Sequence, residues 1–288
     1  MFIANVDHRL TTFVDGSPVD VETASGGRFG SSVQAAYERW DELRSWAAGI
    51  GAAGAPASMP AELQAPSPRP RQVFGIGLNY RDHAEEAGMK IPDFPMTFTK
   101  FASCIAGPST PVGVSGDATD WEVELVVVIG RPAYRVTAAD AWAHVAGLTI
   151  GQDLSDRERQ FAGEPPQFNI GKSLPGYGPT GPWLATADEF ADSGDLGIRC
   201  FLDGEKVQES RTSQLIFPVP ELIEKLSADV RLLPGDLIFT GTPSGVGFAR
   251  TPRRSLRPGQ ILLSEIEGIG QLATHLVSPE PTVSPVSA

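Results

Sequence analysis

The segment "DWEVELVVVIG", Asp120 to Gly130, joins two acidic residues to an apolar run. A strand alternates its side chains with period two. Glu122 and Glu124 therefore leave on one face, about 7 Å apart along the chain. Val126, Val127, Val128 and Ile129 are the kind of run that fills a sheet covered on both faces. Alternating glutamates commonly mark the solvated face of an edge strand. The run that follows argues instead for a central strand, where unpaired carboxylates are costly. A bound cation reconciles the two. The segment "GLTIGQDLSDRERQ" offers a third carboxylate, Asp153, just past an apolar strand and beside Asp156 and Arg157. Three carboxylates without histidine or thiol form a hard oxygen site. Such a site suits Mg²⁺ or Mn²⁺ and leaves positions for water or substrate oxygens.

A second pair of residues could move protons. His83 and Glu86 lie three apart in "DHAEE", on one face of a short helix. An imidazole near neutral pKa can take a proton from water, and a carboxylate beside it can orient the ring and stabilise imidazolium. A solvated helix pair is the competing reading of the same spacing.

These groups need a scaffold, and the composition sets its class. The chain has 288 residues, 41% hydrophobic and 20% charged, which is a globular composition long enough for one large domain or two unequal ones. The net charge of −12 makes nucleic acid and anionic membrane poor partners. Cys104 and Cys200 stand far apart in no ligand spacing, so neither a disulfide framework nor a zinc cluster is expected. Asp7 interrupts the N-terminus where a signal peptide needs an apolar core, and a cytoplasmic location is expected.

The expected organisation has four parts. Residues 1–50 form a small N-terminal α+β domain. It holds a hairpin around Asp15-Gly16-Ser17-Pro18, then a helix capped by Ser31 with Ala36, Trp40, Leu43 and Ala47 on one face. Residues 51–70 are a Pro/Gly/Ala-rich linker, and 278–288 a disordered tail. Residues 71–277 carry the chemistry and are strand-rich. A hairpin is expected around Asp203-Gly204, a helix over "PVPELIEKLSA", and repeated Pro-Gly turns feeding strands, as in an antiparallel β-roll. "RDHAEEAG" reads as a short helix near Gly75, Gly77 and Gly88, held by few buried contacts and mobile until a ligand orders it. "GIGLNY" does not complete a dinucleotide fingerprint.

Taken in order, "DWEVELVVVIG", "GQDLSDRERQ", "NIGKSLPGYGPTGPW" and "FTGTPSGVG" resemble the fumarylacetoacetate hydrolase family, and "GIGLNYRDHAEEAG" matches its entry motif. The resemblance spans roughly residues 70 to 275. It implies a β-rich α+β fold with a mixed β-roll catalytic domain, a homodimer, and a divalent metal held by Glu122, Glu124 and Asp153. His83 and Glu86 fall where the family keeps its water-activating pair. Lys172 falls at a family lysine that would face a developing enolate or a substrate carboxylate. Arg157 and Gln160 are implied as substrate-side groups. Thr242 would bond a substrate carboxylate, or its glycine-rich surroundings would merely form a tight turn. Lys100 also matches a family position, and the resemblance implies it as a further substrate-binding group. One departure is visible: the family commonly has Arg-Asp where this chain has Arg157-Glu158.

The implied chemistry starts from a substrate with two chelating oxygens, a 2-oxo acid or a 1,3-diketone. The cation polarises its carbonyl and stabilises an enolate. The expected activity is hydrolysis of a C–C bond in a β-diketone or acylpyruvate. Oxaloacetate decarboxylation and isomerisation or decarboxylation of 2-oxo dicarboxylates from aromatic degradation share that enolate. An inactive metal-binding scaffold of the same fold is the non-enzymatic alternative. The presence of His83, Glu86 and Lys172 favours an enzyme.

Overall fold

The computed structural model describes residues 1–52, 54–57, 62–86, 88–114 and 117–279. The expected tail from residue 280 onward, and residues 53 and 58–61 of the expected linker, lie outside the described residues.

Everything is arranged about the strand Val123–Ile129, all of which is buried. It pairs antiparallel with Val145–Gln152 on one side and with Leu237–Phe239 on the other. Its two faces meet different layers, as period two requires. Val123, Leu125, Val127 and Ile129 join a core built with a second sheet, through residues such as Ile198, Leu262 and Leu272, and with the helix Val219–Asp229. Val126 and Val128 point the other way, into a core with Ile3, Val33, Tyr37 and Trp40. The N-terminal helices therefore cover only part of the even-numbered face. Further toward the start of the strand, the same face carries Glu124 and Glu122.

The main sheet runs from the edge strand Ser17–Asp20 through Arg9–Val14, Phe2–Val6, Gly178–Ala185, Val145–Gln152, Val123–Ile129, Leu237–Phe239 and Val73–Gly77 to Met96–Thr99. The N-terminal strands are thus continuous with the sheet of residues 71–277: Phe2 pairs with Ala185 and Ile3 with Leu184. Part of the expected linker is also packed. Leu63–Gln64 pairs with Val6 and Asn5, and Tyr37 Oη donates to Pro66 O at 2.8 Å. The second sheet orders Glu205–Arg211, Gly197–Leu202, Ile261–Ile266, Gly270–Val277 and Val112–Gly113. Both sheets are mixed: Leu237–Phe239 runs parallel to Val73–Gly77, and Gly270–Val277 parallel to Val112–Gly113. The class is α+β and β-rich.

Local differences from the sequence reading have physical reasons. The first twenty residues make three strands, because Asp7 and His8 form a second two-residue turn with φ of 50° and 61°. Tight hairpins need positive φ at both positions, and Asp15-Gly16 and Asp203-Gly204 meet the same need. The expected N-terminal helix is two helices, Val33–Tyr37 and Trp40–Ala47, and its cap is Ser32, whose hydroxyl accepts from Ala35 N. Ala36, Trp40, Leu43 and Ala47 are buried as one face, as their spacing requires.

Candidate active site

The carboxylates converge because the sheet register brings them together. Val123 pairs with Gln152, so Glu122 and Asp153 are the next residues outward on neighbouring strands, and Asp153 N donates to Glu122 O at 2.9 Å. The regular ladder ends there. Gln152 and Gln208 side chains accept from the Glu122 and Val123 amides, at 2.9 and 3.1 Å. Opposite Glu124 stands Gly151, where a Cβ would lie 2.6 Å from the Phe239 ring. The residue must be glycine for that ring to pack. The loop after Leu237–Phe239 continues along the strand with hydroxyls as well as an amide: Thr240 N donates to Leu125 O at 3.1 Å, Thr240 Oγ1 to the same carbonyl and Thr242 Oγ1 to Val123 O, both at 2.9 Å.

Glu122, Glu124 and Asp153 can each offer an oxygen such that all three lie within 4.8 Å of one another, and all three are buried. Oxygens bound to one hard divalent ion at about 2.0–2.6 Å cannot be much further apart than that. Three cations are built in beside them. Lys172 Nζ donates to Glu122 Oε2 at 2.6 Å and to Asp153 Oδ2 at 2.8 Å. Lys100 Nζ donates to Asp153 Oδ1 at 2.6 Å. Arg157 bridges Asp120 and Glu122, at 2.6 and 2.7 Å. With Asp120 included, four carboxylates face three cations.

The protonation pattern follows. Burial works against ionised Glu122, but Lys172 and Arg157 outweigh it and hold its carboxyl down at about 2. Burial, with the charges of Asp153 and Glu122, pushes Glu124 well above the usual carboxylate range. Nearby, burial and the charges of Glu124 and Asp82 raise the Tyr80 phenol. Its hydroxyl is buried with no hydrogen-bond partner among the described residues. A cluster with one carboxylate too many for its own cations, and an orphaned hydroxyl in the same field, fits a hard divalent cation.

His83 sits on the short helix Arg81–Glu86, close enough for its charge to act on Glu122. Its Nδ1 lies 3.2 Å from Glu86 Oε2. A carboxylate can only accept, so Nδ1 carries a hydrogen, and in the neutral ring the lone pair then falls to Nε2. Glu86 is itself held by Gly245 N, at 3.0 Å from Oε1, and Ser244 Oγ donates to Asp82 at 3.3 Å. The glycine-rich loop thus serves two ends of the site. Gly241 N donates to Glu124 Oε2 at 2.8 Å, and Gly245 N reaches Glu86.

Two residues expected to face substrate are occupied elsewhere. Lys100 has all three donors engaged, by Asp153, Tyr177 O at 3.1 Å and Lys172 O. It fixes Asp153 and the Lys172 loop from beneath; burial opposes its charge, and Asp153 raises its pKa in spite of that. The Thr242 hydroxyl lies between Val123 O and Gln208 Nε2. Gln160 accepts from Arg157 Nη1 at 2.7 Å and so sets the guanidinium plane. Asp120 was not singled out from the sequence, yet it holds Arg157 and accepts from Gly247 N and Phe248 N at 2.7 and 3.0 Å. Its signal was available: Asp120 continues the period-two series of Glu122 and Glu124.

A cavity of about 1080 Å³ between the N-terminal segment and the Ile105–Gly113 region includes none of these carboxylates. One of about 330 Å³ reaches the cluster through Asp120 and Arg157.

No helix among the described residues is long and apolar enough to cross a membrane. Residues 72–277 match the family described as fumarylacetoacetate (FAA) hydrolase C-terminal. The chain is 42% identical over 215 residues to a Bos taurus protein named oxaloacetate tautomerase FAHD2A, mitochondrial, covering 74% of this chain and 68% of that one. A solved structure from Mycobacterium smegmatis, provisionally described as an HpcE protein, superposes with a TM-score of 0.91 at 48% identity, over 96% of this chain and 99% of that one. Fumarylacetoacetate hydrolase from Exiguobacterium antarcticum gives 0.79 at 30%, over 96% and 98%. The matched span takes in the acidic cluster, the His83 helix and the glycine-rich loop, and the chain belongs to the fumarylacetoacetate hydrolase family.

Proposed function

We propose that the protein is a divalent-metal-dependent enzyme of 2-oxo acids that moves a proton at the carbon beside the 2-oxo group, an enol–keto tautomerase of oxaloacetate-type substrates. The observation that carries the reading is the His83–Glu86 pair, with Nδ1 held against Glu86 and Nε2 outside that contact, beside the three-carboxylate cluster. Glu122, Glu124 and Asp153 would hold Mg²⁺ or Mn²⁺. The ion supplies Lewis acidity toward a carbonyl or enolate oxygen.

The rest is done by the chain. His83 Nε2 takes the enol O–H proton and returns it to C3, and makes the same two transfers in the opposite order in the reverse direction, while Glu86 stabilises the intervening imidazolium. Lys172 and Arg157 add positive charge where the substrate becomes enolate. Gly241 N keeps Glu124 in place. The 42% identity to a protein named as an oxaloacetate tautomerase supports this reaction.

The expected C–C bond hydrolysis of an acylpyruvate is the second reading. The nearly full-length likeness to a fumarylacetoacetate hydrolase favours it. There His83 Nε2 takes a proton from water instead. The test is a pair of rates, oxaloacetate tautomerisation and acylpyruvate cleavage, in wild type and His83→Ala. Tautomerisation without cleavage supports the first reading. Cleavage with little tautomerisation supports the second. A homodimer and a cytoplasmic location belong to the same proposal, although the bovine relative is named as mitochondrial.

A further inference from the structure

The cavity that shares Asp120 and Arg157 with the cluster has a distinctive wall. Phe161 and Phe248 both line it and stack on each other, with ring centroids 5.4 Å apart. Phe161 continues to Phe168 at 5.7 Å, and Phe168 to Phe98 at 5.8 Å, with Lys172 Nζ 5.2 Å from the Phe98 centroid. An aromatic strip thus runs from the active-site lysine to the cavity. Phe161 is 43% exposed, a large apolar surface left open beside a polar site.

The far wall comes from "ARTPRRSLRP", which holds four arginines. Three are engaged: Arg250 with Val207 O and Gly245 O, Arg254 with Glu205, and Arg257 with Asp117. Arg253 has no hydrogen bond or ion pair among the described residues. It lies over the Phe248 ring, 4.0 Å from the centroid, and lines the cavity. Arg157 sits 5.7 Å from the same centroid, so the two guanidiniums are no further apart than the sum of those distances. Phe248 is shared by both, with Arg253 the nearer. A guanidinium stacked on a ring keeps its edge donors free for a planar bidentate acceptor.

We infer that Arg253 is a specificity-determining residue that receives a second, distal carboxylate of the substrate, whose carbon chain lies along Phe161 and Phe248. This rests on the proposed reading of oxaloacetate-type substrates and adds to it the residue that holds the far carboxylate of such a 2-oxo dicarboxylate. Of the carboxylates at the wall, Asp120 is neutralised by Arg157 and Asp117 by Arg257. Glu158, exposed on the same wall, opposes an incoming anion.

The test compares 2-oxoglutarate with 2-oxopentanoate, which share a five-carbon chain and differ in the terminal carboxylate. Binding of each to the Mg²⁺-loaded full chain is measured by calorimetry. Wild type should prefer 2-oxoglutarate, and Arg253→Ala should weaken it roughly 10- to 100-fold while leaving 2-oxopentanoate within about twofold. Arg253→Lys should fall between, and Glu158→Gln should tighten 2-oxoglutarate alone. Unchanged 2-oxopentanoate binding shows that the variants fold. Equal effects on both ligands, or none, would overturn the inference. Turnover of oxaloacetate is followed in parallel. Selective loss of 2-oxoglutarate binding in a protein that turns over no 2-oxo acid would sink the proposed reaction and leave the subsite standing.

Discussion

Lys172 Nζ donates to Glu122 Oε2 at 2.6 Å, across fifty positions of sequence and away from solvent. The same ammonium reaches Asp153, so one cation lies on two of the three carboxylates that converge in the site. A buried ion pair is a poor source of stability by itself, and its loss on one side leaves an uncompensated charge. Lys172→Met should therefore destabilise the protein by about 3–5 kcal/mol. Mg²⁺ should restore part of the loss, so saturating Mg²⁺ should raise the melting temperature of this variant more than that of wild type. An equal rise in both proteins would mean that the ion does not share the charge-balancing role of Lys172.

Metal binding should depend on pH in a defined direction. Burial and the charges of Asp153 and Glu122 keep Glu124 protonated above the ordinary carboxylate range. A metal ion requires the carboxylate, so its binding displaces that proton. Affinity for Mg²⁺ should climb with pH from the usual carboxylate range to the raised value and level off above it, by no more than about tenfold per unit for one proton. Calorimetry in buffers of different ionisation enthalpy would count the proton. Its absence would remove Glu124 from the ligand set.

Glu86 combines an electrostatic role with a mechanical one. It faces His83 Nδ1 and is tied to Gly245 N. Glu86→Gln keeps an acceptor for the amide and loses the charge; Glu86→Ala loses both. Both should lower turnover, but only the alanine variant should markedly raise hydrogen exchange over 81–86. His83→Ala should lower turnover about 10²- to 10⁴-fold with metal affinity nearly constant. A large drop in metal affinity would show that His83 acts on the cluster rather than on protons.

Gly245 has φ of +102°, and a Cβ there would lie 2.1 Å from Val207 O. That neighbour is backbone and cannot swing aside. Gly245→Ala should shift the loop, break the tie to Glu86 and reduce turnover, with stability falling by about 1–3 kcal/mol. Thermal melts together with exchange over 81–86 would check this. Unchanged exchange would separate the loop from the helix.

What the sequence disclosed about this site was its local periodicity. The alternation of Glu122 and Glu124, followed by Val126 to Ile129, identified a central strand with a charged start, and His83 and Glu86 are indeed neighbours on a helix. Long-range pairing was not legible. That Phe2–Val6 would join Gly178–Ala185 depends on edges that meet only after folding. The destination of each donor was equally hidden. Lys100 is a lysine at the right motif, but its ammonium is committed to Asp153 and two carbonyls. Thr242 was weighed between ligand contact and turn, and its hydroxyl extends the sheet to Val123 O. Asp120 stood in the quoted motif and needed only the same period-two argument to be noticed.

The most direct test of the central claim follows enol-to-keto conversion of oxaloacetate in the metal-stripped protein, before and after Mg²⁺ is added, beside Asp153→Asn treated identically. The account predicts that stripped wild type is nearly inactive, that Mg²⁺ restores it, and that Asp153→Asn stays inactive while still folded by circular dichroism. Full activity in the verified metal-free protein, or in the folded Asp153→Asn variant, would contradict it.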